Sequence, residues 1–224
     1  MVEIIPGILE KEWSEIERKI KLVAPYVSWV QIDIADNTVF PNTTFLGFDT
    51  ITPLTKLRLS SVLSKPPTVA QELSFEAHLM VAHPEKYIHQ LADAGFKRLI
   101  AHVEANDLRR FLDDAHYESV EVGIAIDGST EFAEVEPFLE EVDFVLVMTI
   151  EAGFSGQPFL PETLDKIRSI HESVPDLPIE VDGGIDEKTA HLVKDAGATR
   201  LVSTTYLFQD PANIQKAITR LKEA

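Results

Sequence analysis

Ile179-Glu180-Val181-Asp182-Gly183-Gly184 is the stretch of sequence from which the fold can be worked out. Its apolar, β-branched start is typical of a short buried strand, and the amphipathic segment 186–196 that follows is typical of a helix. A strand that ends in a carboxylate, followed by bare backbone and a helix N-terminus, places an acid/base group beside amides that bind anions. Two glycines also occur in plain turns, so the stretch alone leaves a simple strand-turn-helix corner open.

The rest of the chain repeats this alternation of strand and helix. We predict eight strands, at residues 2–5, 29–34, 75–81, 98–103, 120–126, 144–148, 178–181 and 199–203. We predict helices at residues 11–23, 84–94, 108–116, 131–141, 164–173, 187–195 and 212–222. Eight such units in 224 residues, with strands apolar on both faces, favour one domain over residues 1–224 that forms a closed parallel (β/α)8, or TIM, barrel.

An enlarged segment at about 37–74 interrupts the rhythm after the second strand, and Pro53, Pro66 and Pro67 fall within it. We expect a helix somewhere within residues 50–64.

The alternative fold is an open doubly wound sheet. It is less favoured because no Gly-x-Gly-x-x-Gly motif follows the first strand, where Pro6-Gly7 is predicted to form only a turn.

The amino-acid composition of the chain argues against several classes of function. The net charge of -17 opposes binding to nucleic acid or to an anionic membrane, although backbone amides can still hold a small anion locally. The absence of cysteine excludes disulfides and thiolate chemistry. We see no signal peptide and no apolar run long enough to span a bilayer, so the expected location is the cytoplasm.

In a TIM barrel, the site is built from the C-terminal tips of the strands. The polar and sulfur-containing residues at those tips are Gln31, Asp33, His78, Met80, His102, Glu104, Asp127, Met148, Asp182, Thr204 and Thr205. Asp33 and Asp182 come from strands far apart around the ring, so their carboxylates are predicted to flank a small ligand. That arrangement suits the removal of a proton from one face of a carbon and its return on the other.

Glycines and hydroxyl groups gather on the last three loops. Residues 152–157 follow the sixth strand, Gly183-Gly184 the seventh and Thr204-Thr205 the eighth. Their amides should lie near one another, which is the usual phosphate site of these barrels.

Longer motifs resemble the ribulose-phosphate 3-epimerase family over nearly the whole chain, from Pro6 to Phe208. They are Ile32-Asp33-Ile34 with Asp36, Phe40-Pro41-Asn42-Thr43-Thr44, Ala77-His78-Leu79-Met80, Gly153-Phe154-Ser155-Gly156-Gln157-Pro158-Phe159 and Glu180-Val181-Asp182-Gly183-Gly184. The resemblance implies a TIM barrel that interconverts D-ribulose 5-phosphate and D-xylulose 5-phosphate at C3 through an enediolate. It also implies a divalent metal, zinc or iron, held by two histidines and two aspartates.

Residue by residue, the resemblance makes Asp33 and Asp182 the acid/base pair and makes Asp33, His78 and Asp182 metal ligands. The expected substrate contacts are Gly7, Gln31, His78, Met80 and Met148. The expected phosphate contacts are Gly153, Phe154, Ser155, Gly156, Gly183, Gly184, Thr204 and Thr205. We also expect a homo-oligomer.

Several positions depart from the family pattern. Gln31 stands where the family has its first metal histidine, and an amide oxygen is a poorer ligand for zinc or iron than imidazole. Gly7 replaces a serine that would contact substrate, and Ala35 replaces a methionine. Thr204-Thr205 replaces Gly-Ser, which keeps hydroxyl groups but narrows the approach of a phosphate.

Three functions remain open from the sequence. The first is a pentose-phosphate epimerase with a weakened metal site. The second is an epimerase of another ketose phosphate, such as a hexulose 6-phosphate, made possible by the small Gly7 and Ala35. The third is a non-catalytic phosphosugar-binding protein, which has little need for opposed carboxylates.

His102 and Glu104 are interpreted as supports of His78, and the remaining histidines carry no functional signal.

Overall fold

The computed structural model describes residues 2–48 and 73–224. Eight parallel strands close into a barrel in which each strand pairs with the next and the last pairs with the first. The strands are β1 Glu3–Ile8, β2 Trp29–Ala35, β3 Ser74–Met80, β4 Arg98–His102, β5 Glu121–Ile126, β6 Phe144–Met148, β7 Ile179–Asp182 and β8 Arg200–Ser203. The predicted TIM barrel is therefore confirmed. The helix expected within 50–64 lies outside the described residues.

Helices surround the barrel because each strand buries one face outward against an amphipathic segment. They are α1 Trp13–Val23, α2 Ile88–Ala94, α3 Leu108–Ala115, α4 Thr163–Ser173, α5 Glu187–Ala196, α6 Thr205–Phe208 and α7 Ile214–Glu223. In the described residues, no helix is long and apolar enough to cross a membrane.

The structure corrects three details of the sequence prediction. Pro6 and Gly7 lie inside β1, where they pair in register with Ser203 and Gln31, and not in a turn. The segment predicted as a helix at 131–141 forms two short 3-10 turns, because Pro137 removes an amide donor from its middle. The short helix α6, directly after β8, was not predicted.

Alternate strand residues point into the barrel and form layers. The lower layer, away from the strand C-termini, consists of ionisable side chains: Arg98 lies 3.1 Å from Glu76, and Arg200 lies 4.0 Å from Glu180. Both glutamates are fully buried. Phe144 packs over the two guanidinium groups. Because this layer fills the lower end, the open space of the barrel lies at the C-terminal mouth.

Candidate active site

The carboxylates of Asp33 and Asp182 meet inside the mouth of the barrel. Asp33 lies on β2 and Asp182 is the last residue of β7, and they are only 6% and 9% exposed. The amide of Gln31 joins them: its Nε2 donates to Asp33 Oδ1 and to Asp182 Oδ2, at 2.7 Å in each case. The sequence placed Gln31 and Asp33 on one strand face, but it gave no sign of this bridge.

His78 completes the group. It stands beside Asp33 in the register of β2 with β3. Its Nδ1 lies 3.0 Å from Asp33 Oδ1 and 3.8 Å from Asp182 Oδ2. The three residues offer ligand atoms that all lie within 4.8 Å of one another, so they could hold a metal ion. The structure thus brings together the three predicted metal ligands.

Behind His78 runs a chain of hydrogen bonds that starts at the buried His102 and continues to the partly buried Glu104. His78 Nε2 lies 2.7 Å from His102 Nε2, His102 Nδ1 lies 2.9 Å from Glu104 Oε2, and Glu104 Oε1 accepts from the backbone N–H of Asp127. A proton on His102 Nδ1 satisfies Glu104 and leaves His102 Nε2 to accept from His78. His78 Nδ1 is then the atom at which a proton or a metal ion meets Asp33.

Burial and charge set the protonation of this group. Burial, together with the negative charge of Asp33, raises the pKa of Asp182 to about 7. Burial alone would lower the pKa of His78, but the hydrogen bond and charge of Asp33 raise it. Burial lowers the pKa of His102. Burial would raise the pKa of Glu104, but its hydrogen bonds, first that from His102, lower it to about 2. Asp182 is therefore poised to gain or lose a proton near neutral pH.

A cavity of about 30 Å³ opens directly above the carboxylates. Met80 and Met148, both 3% exposed, form part of its apolar wall. Leu9 and Ile150 also line it, and the sequence reasoning missed both. They stand just beyond the ends of β1 and β6, which was the only signal that could have identified them.

A second cavity, of about 350 Å³, lies beside the first, over the ends of β7 and β8. The predicted phosphate residues that line it are Ser155, Gly156, Gly183, Gly184, Thr204 and Thr205. Gly153 and Phe154 line the smaller cavity instead. Asp186, Tyr206 and Gln209 also border the larger cavity and were not predicted.

Gly183 and Gly184 keep this second cavity open. Both have positive φ angles, +117° and +64°, which favour glycine. A Cβ on Gly184 would lie 3.1 Å from the backbone of Phe159. Only bare backbone fits between β7 and α5 here, which exposes amides to an anion.

Asp127 and Asn42 fix the loop that follows β6. Asp127 Oδ1 accepts from the backbone N–H of Ala152 at 2.7 Å, and Asn42 Nδ2 donates to the carbonyl oxygen of Gly153 at 2.7 Å. The loop therefore rests on β5 from one side and on the segment after β2 from the other, which places Ser155 between the two cavities.

Gly7 and Thr204 share one space at the mouth. A Cβ built on Gly7 would lie 2.5 Å from Thr204 Oγ1, so the hydroxyl of Thr204 fills the place that a larger residue on β1 would take. Thr204 lines both cavities. The small Gly7 therefore does not enlarge the pocket, contrary to the expectation from sequence.

Comparisons with known proteins show the family and the fold of the chain. The model of the "Ribulose-phosphate 3 epimerase family" matches residues 3–208. The ribulose-phosphate 3-epimerase of Schizosaccharomyces pombe is 35% identical over 216 residues, covering 95% of this chain and 90% of the relative. That of Synechocystis is 32% identical over 233 residues, covering 100% and 94%. A crystal structure of 3-hexulose-6-phosphate synthase from Salmonella typhimurium superposes with a TM-score of 0.70 at 14% identity, covering 99% and 97%, and shows a shared fold alone.

Proposed function

The chain belongs to the ribulose-phosphate 3-epimerase family, and we propose that it interconverts D-ribulose 5-phosphate and D-xylulose 5-phosphate at C3 with Asp33 and Asp182 as the acid/base pair. The observation that carries the proposal is the meeting of these two buried carboxylates, one of which has a pKa of about 7. The protein is an isomerase, in keeping with its relatives.

The proposed reaction is a proton exchange at one carbon. One aspartate takes the proton from C3, and the electron pair of the C–H bond moves toward the C2 carbonyl to form an enediolate. The other aspartate returns a proton to the opposite face of C3, which inverts the centre. Met80 and Met148 border the planar intermediate and exclude water, which strengthens the electrostatic interactions in the site.

Asp33, His78 and Asp182 fit a divalent ion of the zinc or iron type by number and kind of donor. When bound, such an ion supplies positive charge that stabilises the oxygens of an enediolate. Gln31 is a less suitable ligand for such an ion. Its Nε2, which cannot bind a metal, faces both carboxylates, while Oε1 is buried without a hydrogen-bond partner among residues 2–48 and 73–224. A metal ion must therefore displace two hydrogen bonds and turn the amide.

The phosphate of the substrate is placed in the cavity of about 350 Å³. The bare backbone at Gly183-Gly184 and the start of α6 at Thr205 supply amides there. Thr204 lies between this cavity and the carboxylates, so its hydroxyl is assigned to the sugar chain and not to the phosphate alone.

Neither alternative gains support. A longer hexulose phosphate would need the room that Gly7 and Ala35 were expected to open, but Thr204 fills the space beside Gly7, and Ala35 is fully buried. A mere binding protein would gain nothing from two adjacent carboxylates, which repel an anionic ligand. A cytoplasmic location and a homo-oligomer stay predictions; one relative, from Oryza sativa, is named as a cytoplasmic isoform.

The test is the conversion of ribulose 5-phosphate in deuterium oxide. We expect xylulose 5-phosphate to form with one deuterium at C3, and we expect recovered substrate to gain deuterium at the same carbon. If the protein binds ribulose 5-phosphate but exchanges no proton at C3, it is a phosphosugar-binding protein and not an epimerase. Faster turnover of a hexulose 6-phosphate would favour the second alternative.

A further inference from the structure

The proposed catalytic group consists of Gln31, Asp33, His78 and Asp182. Three side chains outside this group converge on the rim of the barrel, where the loops after β3 and β4 meet. His83 and Glu85 lie at the start of the 3-10 turn Pro84–Tyr87, and Asp107 lies just before α3. His83 Nδ1 is 3.4 Å from Glu85 Oε1 and 3.4 Å from Asp107 Oδ2. The sequence gave no reason to single out these residues, because they meet only through the fold.

These contacts are too long for good hydrogen bonds, whose N–H···O distances run to about 3.2 Å. His83 Nδ1 and Glu85 Oε2 are buried atoms that have no hydrogen-bond partner within the described part of the chain. The Glu85 side chain is only 5% exposed. A buried carboxylate oxygen without a partner destabilises the fold. A cation bound between the three side chains would give His83 Nδ1 and the Glu85 carboxylate the partner that they lack.

Two of the three spacings match those around a metal ion, because both carboxylates lie 3.4 Å from His83 Nδ1, and the three ligand atoms all lie within 4.8 Å of one another. Ligand atoms that surround a tetrahedral ion at about 2.1 Å lie about 3.4 Å from one another. One imidazole nitrogen and two carboxylates are a donor set that zinc and similar ions accept. The side chains of His83 and Asp107 are 39% and 50% exposed, so an ion can enter from solvent and keep a water molecule.

We propose that His83, Glu85 and Asp107 bind a divalent transition-metal ion of the zinc type, at a site that shares no residue with the catalytic group. The ion joins two loops that already touch, since the backbone N–H of Asn106 donates to the carbonyl oxygen of Ala82 at 2.9 Å. Ala82 N–H also donates to Thr38 Oγ1 on the segment after β2. The ion therefore braces the rim next to Met80. This proposal does not depend on the proposed function.

Zinc titration by calorimetry tests the site, with metal-free His78→Ala as the starting protein so that the catalytic group does not contribute. We expect one equivalent of zinc to bind. Adding His83→Ala should weaken that binding at least tenfold. The matched control is His89→Ala: His89 is 88% exposed and contacts a single carboxylate, so its loss should leave the zinc isotherm unchanged.

A second variant guards against a folding defect at His83. Asp107→Asn changes a half-exposed group without altering its shape, and it should weaken zinc binding while the circular dichroism spectrum stays that of the parent. Zinc should also raise the melting temperature of His78→Ala but not that of the His78→Ala/His83→Ala protein. The proposal is overturned if His78→Ala binds no zinc, or if His83→Ala and Asp107→Asn bind it unchanged; His83 would then be only an ion-pair partner of the two carboxylates.

Discussion

Gln31 Nε2 lies 2.7 Å from Asp182 Oδ2, so an amide on β2 holds a carboxylate that follows it by 151 residues. The same nitrogen holds Asp33. Hydrogen bonds to charged groups contribute about 1.5–3 kcal/mol each, and each 1.4 kcal/mol is a tenfold change in affinity. The amide thus competes directly with any cation for the two carboxylates.

We therefore expect weak, substoichiometric metal at the catalytic group after ordinary purification, and at least tenfold tighter zinc or iron binding in Gln31→His. The measurement is the metal content after chelator dialysis. Every protein compared carries His83→Ala, so that metal bound by His83, Glu85 and Asp107 is not counted. Gln31→Met is the control, because it removes the amide without adding imidazole. A parent that keeps a full equivalent of zinc, with no change in Gln31→His, would contradict this interpretation of Gln31.

Asp33→Asn and Asp182→Asn should each lower kcat by about 10²–10⁴-fold, the usual contribution of general acid-base catalysis. The amide keeps the shape of the carboxylate but cannot accept the proton, so the Michaelis constant should change little. The measurements are steady-state kinetics and deuterium exchange at C3. Activity within a few-fold of the parent in either variant would remove these residues from the mechanism.

Thr205→Glu should raise the Michaelis constant at least tenfold, because it places a negative charge in the cavity assigned to the phosphate. Thr205 is exposed, so the fold should tolerate the change. Thr205→Gln, of equal size and no charge, is the control. Inorganic phosphate should compete with substrate in the parent. Equal Michaelis constants for the two variants would place the phosphate elsewhere.

Thr204→Gly should lower kcat/KM by about tenfold, the loss of roughly one neutral hydrogen bond. Gly7→Ser alone should also be harmful, because its side chain meets the Thr204 hydroxyl. The double variant Gly7→Ser/Thr204→Gly should recover part of the loss, since the hydroxyl then returns from β1, although the new Cβ still lies 2.9 Å from Val202 Cγ1. Strictly additive effects in this four-protein cycle would show that the two residues do not share a role.

The lower layer of the barrel predicts a pH dependence of stability. Burial, and then the negative charge of Glu76, raise the pKa of Glu180 well above its usual value. The folded state therefore holds a proton that the unfolded state releases. The stabilisation that this proton gives the folded state is complete below the unfolded-state pKa of about 4.5. It is lost as the pH rises through the folded-state pKa.

The free energy of unfolding should thus fall with rising pH by up to about 1.4 kcal/mol per unit. Glu180→Gln, which cannot ionise, should flatten this fall, whereas Glu172→Gln at an exposed position should not. Urea unfolding between pH 5 and pH 8 gives the slopes. Parallel curves for the parent and Glu180→Gln would mean that Glu180 holds no extra proton.

Much of the fold was predictable because each strand and each helix carries its own local pattern. The eight strands were placed within a few residues, and the strand tips included Asp33, His78 and Asp182, which the structure brings together. Local pattern misjudged Pro6-Gly7, since proline and glycine usually mark turns, whereas here the pairing of β1 with both neighbours keeps them in a strand.

The contacts that tune the site were not predictable. The bridge from Gln31 to Asp182 and the His78–His102 pair depend on which side chains face each other across the barrel. The cluster of His83 with Asp107 depends on where two loops come to rest. Sequence spacing fixes the face of a strand, but not the distance between side chains on different strands.

The amide bridge has a consequence for the history of the site. Glutamine and histidine codons differ only in their third base, so one nucleotide change at position 31 replaces the amide that joins Asp33 and Asp182 with an imidazole. A single mutational step therefore separates two carboxylates held by an amide from two carboxylates beside an imidazole, the nitrogen donor that zinc and iron accept.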